Sequence, residues 1–326
     1  MPNRPILQTG DEVEIVAPSY SLDLISDDVQ EVANRRLEEI GLSLRFGTHV
    51  KEMDGELSSS IESRVADLHA AFANPSIRAI FSVIGGYNSN QLLPHLDWEL
   101  IRQNPKPLIG YSDTTALQNA IFTKTRGISY SGPAYSTFGQ KLHFDYTLKY
   151  FKSMVMHDAP VDIKPSDSWS DDQWYLDQDK RTLYENKGWL TLQNGTATGT
   201  IIGGNLGTFS LLFGTEFMPS LEGTILFLEE DDVENFSQID RLFESLVQQR
   251  GFSGVQGIVL GRFQLKSEIT PQKLQALVSK RSQIAHLPII ANVDFGHTSP
   301  LITYPIGGIA EIYAENQESR IVIQNS

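Results

Sequence analysis

Up to residue 161, short apolar runs alternate with stretches in which apolar side chains return every three or four positions. Glu12–Ala17, Leu42–Phe46, Ala79–Ile84, Pro107–Tyr111 and Ile128–Ser131 read as strands. Between them, Val29, Val32, Ala33, Leu37 and Ile40 fall on one helix face, with Ser26 or Asp27 as cap and Gly41 just past the end. A second helix carries Ile61, Val65, Leu68 and Phe72 behind a capping box of Ser59 and Glu62. A third starts near Thr114. Repeated β-α-β units predict a mostly parallel, doubly wound α/β sheet of flavodoxin- or Rossmann-like type. Ligands of such sheets bind beyond the carboxyl ends of the strands, and Gly85-Gly86 and Ser112 fall at such ends.

The rhythm breaks over residues 162–194. Asp162, Asp167, Asp171, Asp172, Asp177, Asp179 and Glu185 make the stretch acidic, and it reads as a linker or long surface loop. Yet it holds Trp169, Trp174 and Trp189, rings a solvated spacer does not need, so the loop is expected to pack on something. Beyond it, Gly199–Ile202, Thr224–Glu229, Gly257–Leu260, Pro288–Val293, Ile309–Tyr313 and Ile321–Ile323 read as strands, the last two as a hairpin around 315–319. Gln238–Gln249 and Pro271–Lys280 read as helices. The expected organisation is an N-terminal α/β domain (1–161), the acidic Trp-bearing loop (162–194) and a smaller, barrel-like α/β domain (195–326).

Composition narrows the function. With 26 Lys+Arg against 40 Asp+Glu the net charge is −14. This disfavours nucleic-acid polymers and anionic membranes and leaves a small-molecule or peptide partner. The absence of cysteine removes disulfides, thiolate metal sites and a cysteine nucleophile. No histidine pair has zinc spacing, so no metal or other cofactor is expected. The start of the chain shows no secretory signal and no run is long enough to span a membrane, which makes the cytoplasm the expected location.

Three residues offer chemistry. Ser112, in PLIGYSDTTAL, stands at a strand-to-helix turn, the geometry of a nucleophile elbow, although G-Y-S-D-T departs from G-x-S-x-G and a plain N-cap serine fits as well. GTILFLEEDD drives a strand into four acids, any solvated turn being the bland reading; Glu229 and Glu230 are equally placed to orient a histidine. His297, in VDFGHTSP, occupies a tight loop after a strand. Gly85-Gly86 and Gly203-Gly204 follow strands and can each present backbone N–H groups to an anion. The order Ser, acid, His is that of a catalytic triad on other folds.

Taken together, GDEVEIVAPS, SVIGGYNSNQLLPHLD, PLIGYSDTTAL, SGPAYSTFG, TGTIIGGNL, LFLEED and DFGHTSPLITYPIG resemble the LD-carboxypeptidase family of serine peptidases, over most of the chain. Two features, GGYNSN and the tryptophan-rich SDSWSDDQW…NKGW segment, lean toward its microcin C self-immunity (MccF-like) branch. The resemblance implies a Ser112–Glu229–His297 triad in the cleft between two domains, choosing Glu229 over Glu230. It implies oxyanion donors at the backbone N–H of Gly86 and Asp113, and a homodimer. It further implies a substrate-stacking tryptophan, Trp189 first and Trp174 second, with Asn88 also at the substrate; the alternative is that the three rings only fasten the loop. The expected reaction is hydrolysis of the amide between an aminoacyl group and a nucleotide-like leaving group. The alternatives are release of terminal D-alanine from muropeptide tetrapeptides and, from another class, a non-catalytic small-ligand binder.

Overall fold

The computed structural model describes residues 6–315 and 318–324. Five of the expected strands form one parallel sheet in the order Ser43–Phe46, Glu12–Val16, Ile77–Ser82, Leu108–Gly110, Ser129–Ser131. The strand order reverses between Glu12–Val16 and Ile77–Ser82, which opens a crevice at their carboxyl ends where the chain leaves in opposite directions. Helix Asp27–Glu39 buries Val29, Val32, Ala33 and Leu37, as their spacing demands. Helix Ile61–Ala73 is capped by Ser60, whose Oγ accepts from the Ser63 N–H; the expected cap, Ser59, lies one residue outside and is buried.

A sixth strand of this sheet, Tyr304–Ile306, arrives antiparallel from the far end of the chain and pairs with Ser129–Ser131. It is short and contains Pro305, which an edge strand tolerates and a sequence pattern does not signal.

The second sheet has eight strands, in the order Val161–Ile163, Glu318–Gln324, Ile309–Glu315, Gly195–Asn205, Thr224–Glu229, Gly257–Gly261, Ile289–Val293, Leu190–Gln193. The four from Gly195–Asn205 to Ile289–Val293 are parallel to one another, and the outer pairings are antiparallel. The hairpin expected near the C-terminus is present as paired strands; its turn, 316–317, lies outside the described residues. The sheet curls: Thr191 Oγ1 on the last strand meets Ser319 Oγ at 2.9 Å. Helices Phe236–Val247, with an Asn235/Gln238 capping box, and Pro271–Ser279, with a Thr270 cap, run alongside.

The stretch at 162–194 is built into this framework at both ends. Val161–Ile163 and Leu190–Gln193 are strands of the second sheet, and Ser168–Trp169 pairs with Tyr184–Glu185. Trp189 is 8 % exposed. The two sheets are joined by helix Thr115–Thr125, whose residues from Thr115 to Ile121 are all buried. Asn119 donates to the Gly203 carbonyl at 2.8 Å and accepts from the Gly203 N–H at 3.1 Å, so the helix that follows Ser112 is fastened to the strand beside Glu229. No described helix is long and apolar enough to cross a membrane.

Candidate active site

Ser112 follows strand Leu108–Gly110 at the point where the backbone turns into helix Thr115–Thr125. Its φ is +60°, a left-handed conformation that is costly for a residue with a Cβ and that lifts Oγ out of the strand line. The elbow is bolted on both sides. Ser89 N–H donates to Asp113 Oδ2 at 2.8 Å and Ser89 Oγ donates to the Asp113 carbonyl at 2.7 Å, while Thr114 Oγ1 donates to Ser82 Oγ at 3.1 Å. These bonds set the Gly85-Gly86 turn against the elbow, close enough that a Cβ on Gly85 would stand 2.8 Å from Ser112 Cβ.

His297 reaches the same point from the loop after strand Ile289–Val293. Its Nε2 lies 3.0 Å from Ser112 Oγ, and its Nδ1 lies 2.7 Å from Glu229 Oε2. Glu229 closes strand Thr224–Glu229 and is 3 % exposed. Gly296, at φ +109°, makes room for it: a Cβ there would stand 2.7 Å from Glu229 Oε2. Tyr111 packs its ring on the imidazole, 5.4 Å between centroids. Burial opposes charge on His297, but the Glu229 carboxylate and its hydrogen bond, with Asp231 and Glu230 behind, outweigh it and lift the imidazole to about 9. Glu230, left equal to Glu229 by the strand pattern, points elsewhere. It accepts from Asn205 Nδ2 and from the Gly207 N–H, both at 2.7 Å, and burial together with the Glu229 charge raises it to about 7. A serine, imidazole and carboxylate in this chain of contacts can pass a proton from hydroxyl to ring while the carboxylate steadies the ring's charge.

Two hollows meet at this point, sharing Ile84, Tyr111, Asp231 and His297. One, of about 700 Å³, is lined by Gly85, Gly86, Ser112 and Asp113 on one side and by Asn205, Leu211, Glu230 and Leu242 on the other. The second, of about 550 Å³, is lined by Thr137, Gln140, Trp174, Lys266 and Thr298 among others. Trp174 thus faces the cleft. Trp189, the first choice for a substrate ring, does not: it is packed in the core with its Nε1 donating to Asp294 at 3.1 Å. Asn88 is also withdrawn from the cleft. It is 2 % exposed and its amide is consumed by Ser19, Ser58 and Arg64, which makes it a support of the glycine turn. Gly203-Gly204 presents no anion cradle, since Gly203 is bonded to Asn119 and a Cβ on Gly204 would meet Thr115. Among the described residues no group of three His, Asp or Glu side chains is arranged to hold a metal ion.

Sequence reasoning missed the buried polar network three residues before His297. Asp294, fully buried, accepts from Ser166 Oγ (2.7 Å), the Ser166 N–H (3.2 Å), Trp189 Nε1 (3.1 Å), Asn186 Nδ2 (3.2 Å) and Arg262 Nη2 (3.3 Å). Ser170 and Ser299 exchange two backbone hydrogen bonds, and Arg181 joins Asp172 to Ser299 Oγ. The only hint in the chain was apolar rings inside an acidic run.

Family models named LD-carboxypeptidase N-terminal domain and LD-carboxypeptidase C-terminal domain match residues 13–132 and 198–312. The putative carboxypeptidase YocD of Bacillus subtilis is 47% identical over 317 residues, covering 97% of this chain and 98% of that protein. The microcin C7 self-immunity protein MccF of Escherichia coli is 35% identical over 301 residues, covering 88% and 86%. Among solved structures, an MccF-like protein from Bacillus anthracis superposes with a TM-score of 0.97 at 46% identity, covering 99% of both chains. MccF in complex with glutamyl sulfamoyl guanosine superposes with a TM-score of 0.90 at 30% identity, covering 99% and 98%.

Proposed function

The chain belongs to the LD-carboxypeptidase family of serine peptidases, and we propose that it works through Ser112, His297 and Glu229 on the amide between an aminoacyl group and a nucleotide-like leaving group. The observation that carries this reading is the unbroken contact from Ser112 Oγ through His297 to Glu229 at the junction of two hollows, one of which presents Trp174. The ligand held by MccF, an aminoacyl sulfamoyl nucleoside, has the two parts that two such hollows would receive.

In this mechanism His297 Nε2 takes the Ser112 proton as Oγ bonds to the acyl carbon. Glu229 stabilises the resulting imidazolium. The carbonyl oxygen becomes an oxyanion facing the N–H groups of Gly86 and Asp113, donors already rigid before the reaction. Collapse breaks the C–N bond, and His297 returns the proton to the leaving nitrogen. Water then adds to the acyl-enzyme with His297 as base, releasing the free amino acid. On the leaving side, the Trp174 ring offers a face to a nucleobase, a contact worth about 1–3 kcal/mol.

The test compares aminoacyl sulfamoyl adenosine with a muropeptide tetrapeptide under identical conditions. Hydrolysis of the former, abolished in Ser112→Ala, is the expected result. Release of D-alanine from the tetrapeptide alone would move the chain to murein recycling. No turnover of either, with no labelling of Ser112 by a phosphonylating probe, would make it a binder.

A further inference from the structure

We propose that the acyl side of this cleft selects an aminoacyl group with a cationic, lysine-like side chain over one with an acidic side chain; the inference rests on the serine-peptidase reading above. The direction of the substrate follows from the two hollows. His297 lies where the hollows meet, whereas Ser112, Gly86 and Asp113 line only the first and Trp174 only the second, so the leaving group takes the hollow with Trp174. The acyl carbon sits at Ser112 with its oxygen toward Gly86 and Asp113, so the acyl side chain enters the hollow of which those residues form one wall.

The opposite wall has two properties at once. Leu211, Val233 and Leu242 give it an apolar flank. The ionisable lining of the whole hollow, apart from His297, Tyr20, Tyr87 and Tyr111, is Asp113, Glu230, Asp231 and Glu234, with no lysine or arginine among the described residues that line it. Asp113 is buried and its Oδ2 accepts from Ser89, while Glu230 is engaged by Asn205 and Gly207. Asp231 and Glu234 are half-buried, Asp231 where the two hollows meet, and Asp231 Oδ1 accepts from the Val233 N–H at 3.0 Å. Arg241 lines a separate hollow that shares Glu234 and Leu242, and Lys266, in the hollow with Trp174, is paired with Asp232 at 3.5 Å. An aliphatic stem ending in an ammonium fits an apolar flank with carboxylates at its rim. An acidic side chain would bring a carboxylate into the same flank with no lysine or arginine there to pair it, the imidazolium of His297 being already engaged by Glu229, and would be repelled by Asp231 and Glu234. The net charge of −14 adds a long-range bias of the same sign.

The experiment measures kcat/KM for lysyl, leucyl and glutamyl sulfamoyl adenosine with the full chain, at low salt and at high salt. The expected order is lysyl, leucyl, glutamyl, with lysyl over glutamyl by about tenfold or more at low salt and by less when the charges are screened. Glu234→Gln and Asp231→Asn should each shrink the lysyl-to-glutamyl ratio by about threefold or more, a ratio that is insensitive to the amount of folded enzyme. Glutamyl turned over as well as lysyl, or a ratio unmoved in both variants, would overturn the inference while leaving the peptidase reading intact. Turnover of none of the three would overturn the peptidase reading and this one with it.

Discussion

Ser112 and His297 meet at 3.0 Å but are held there in different ways. Ser112 is placed by its own backbone: a buried strand, a left-handed turn and a helix follow one another within a few residues, and Ser82 and Ser89 pin the turn from the adjacent strand and its loop. His297 sits on an irregular loop that gains its order from elsewhere. Glu229 comes from a strand two places away in the same sheet, and Asp294 collects donors from Ser166, Asn186, Trp189 and Arg262. The nucleophile is a local construction and the base a tertiary one. The first should resist distant mutation, and the second should be sensitive to it.

The strongest way to break the comparison is at the junction itself. Glu229→Gln keeps size and shape but removes the charge that steadies the imidazolium, and should lower kcat/KM by about ten-thousand-fold with the fold retained. The acidic limb of the remaining activity should move to lower pH, because the group that raises His297 is gone. A loss below tenfold would mean that His297 does not depend on its carboxylate.

On the nucleophile side, the sensitive position is the glycine turn. Gly86 has φ +149°, and a Cβ there would overlap Ser19 Oγ, which accepts from the Tyr87 N–H and donates to Asn88. Gly86→Ala should therefore displace one proposed oxyanion donor and cost about 10²–10³-fold in kcat. Gly10→Ala supplies the control, since Gly10 is also at positive φ but faces open space. Equal losses in both variants would assign the effect to backbone strain.

The two halves also differ in what titrates. The base must be neutral to accept a proton, and Glu229 raises His297 from an ordinary 6.5 to about 9. Below that pH, kcat/KM should fall about tenfold per unit, so roughly a hundredfold separates pH 7 from the plateau. The same shift contributes stability that is fully present below about 6.5 and disappears as pH rises through about 9, because the folded state holds its proton more tightly than the unfolded chain. A limb centred near 6.5 would show that Glu229 is not stabilising the charged ring.

This contrast explains what could be read from the sequence. Strand Thr224–Glu229, the helix after Ser112 and the parallel order of the first sheet follow from apolar spacing and turn residues, which are local signals. Ser112 was visible for the same reason. Strand Tyr304–Ile306 was not, because three residues with a proline carry no periodicity and pair with Ser129–Ser131 far up the chain. The resemblance points to a tryptophan in this stretch but does not show the neighbours that distinguish the rings, and the neighbour of Trp189 is Asp294. Asn88 was misplaced for a similar cause: a polar side chain beside a glycine turn looks available until Arg64, Ser19 and Ser58 are found around it.

The finest test of the contrast is Asp294→Asn. The side chain lies three positions before His297 and touches neither Ser112 nor either hollow, so any effect on turnover must pass through the loop. Asparagine can still accept from Ser166 but puts an N–H₂ where Trp189 or Arg262 now donates, leaving at least one buried donor facing another and costing about 1–3 kcal/mol of stability. If the loop is held from afar, His297 will spend part of its time displaced from Ser112. At a temperature where the variant is fully folded, kcat should drop by about tenfold with the pH limb unmoved, since Glu229 still faces the ring. Labelling of Ser112 by a small phosphonylating probe should slow in parallel, and Asp294→Glu should restore neither, because the longer arm cannot fit a site with no exposed surface. Loss of stability without loss of kcat would reduce Asp294 to a brace for the 162–194 stretch, and the imidazole would then be held as locally as the serine.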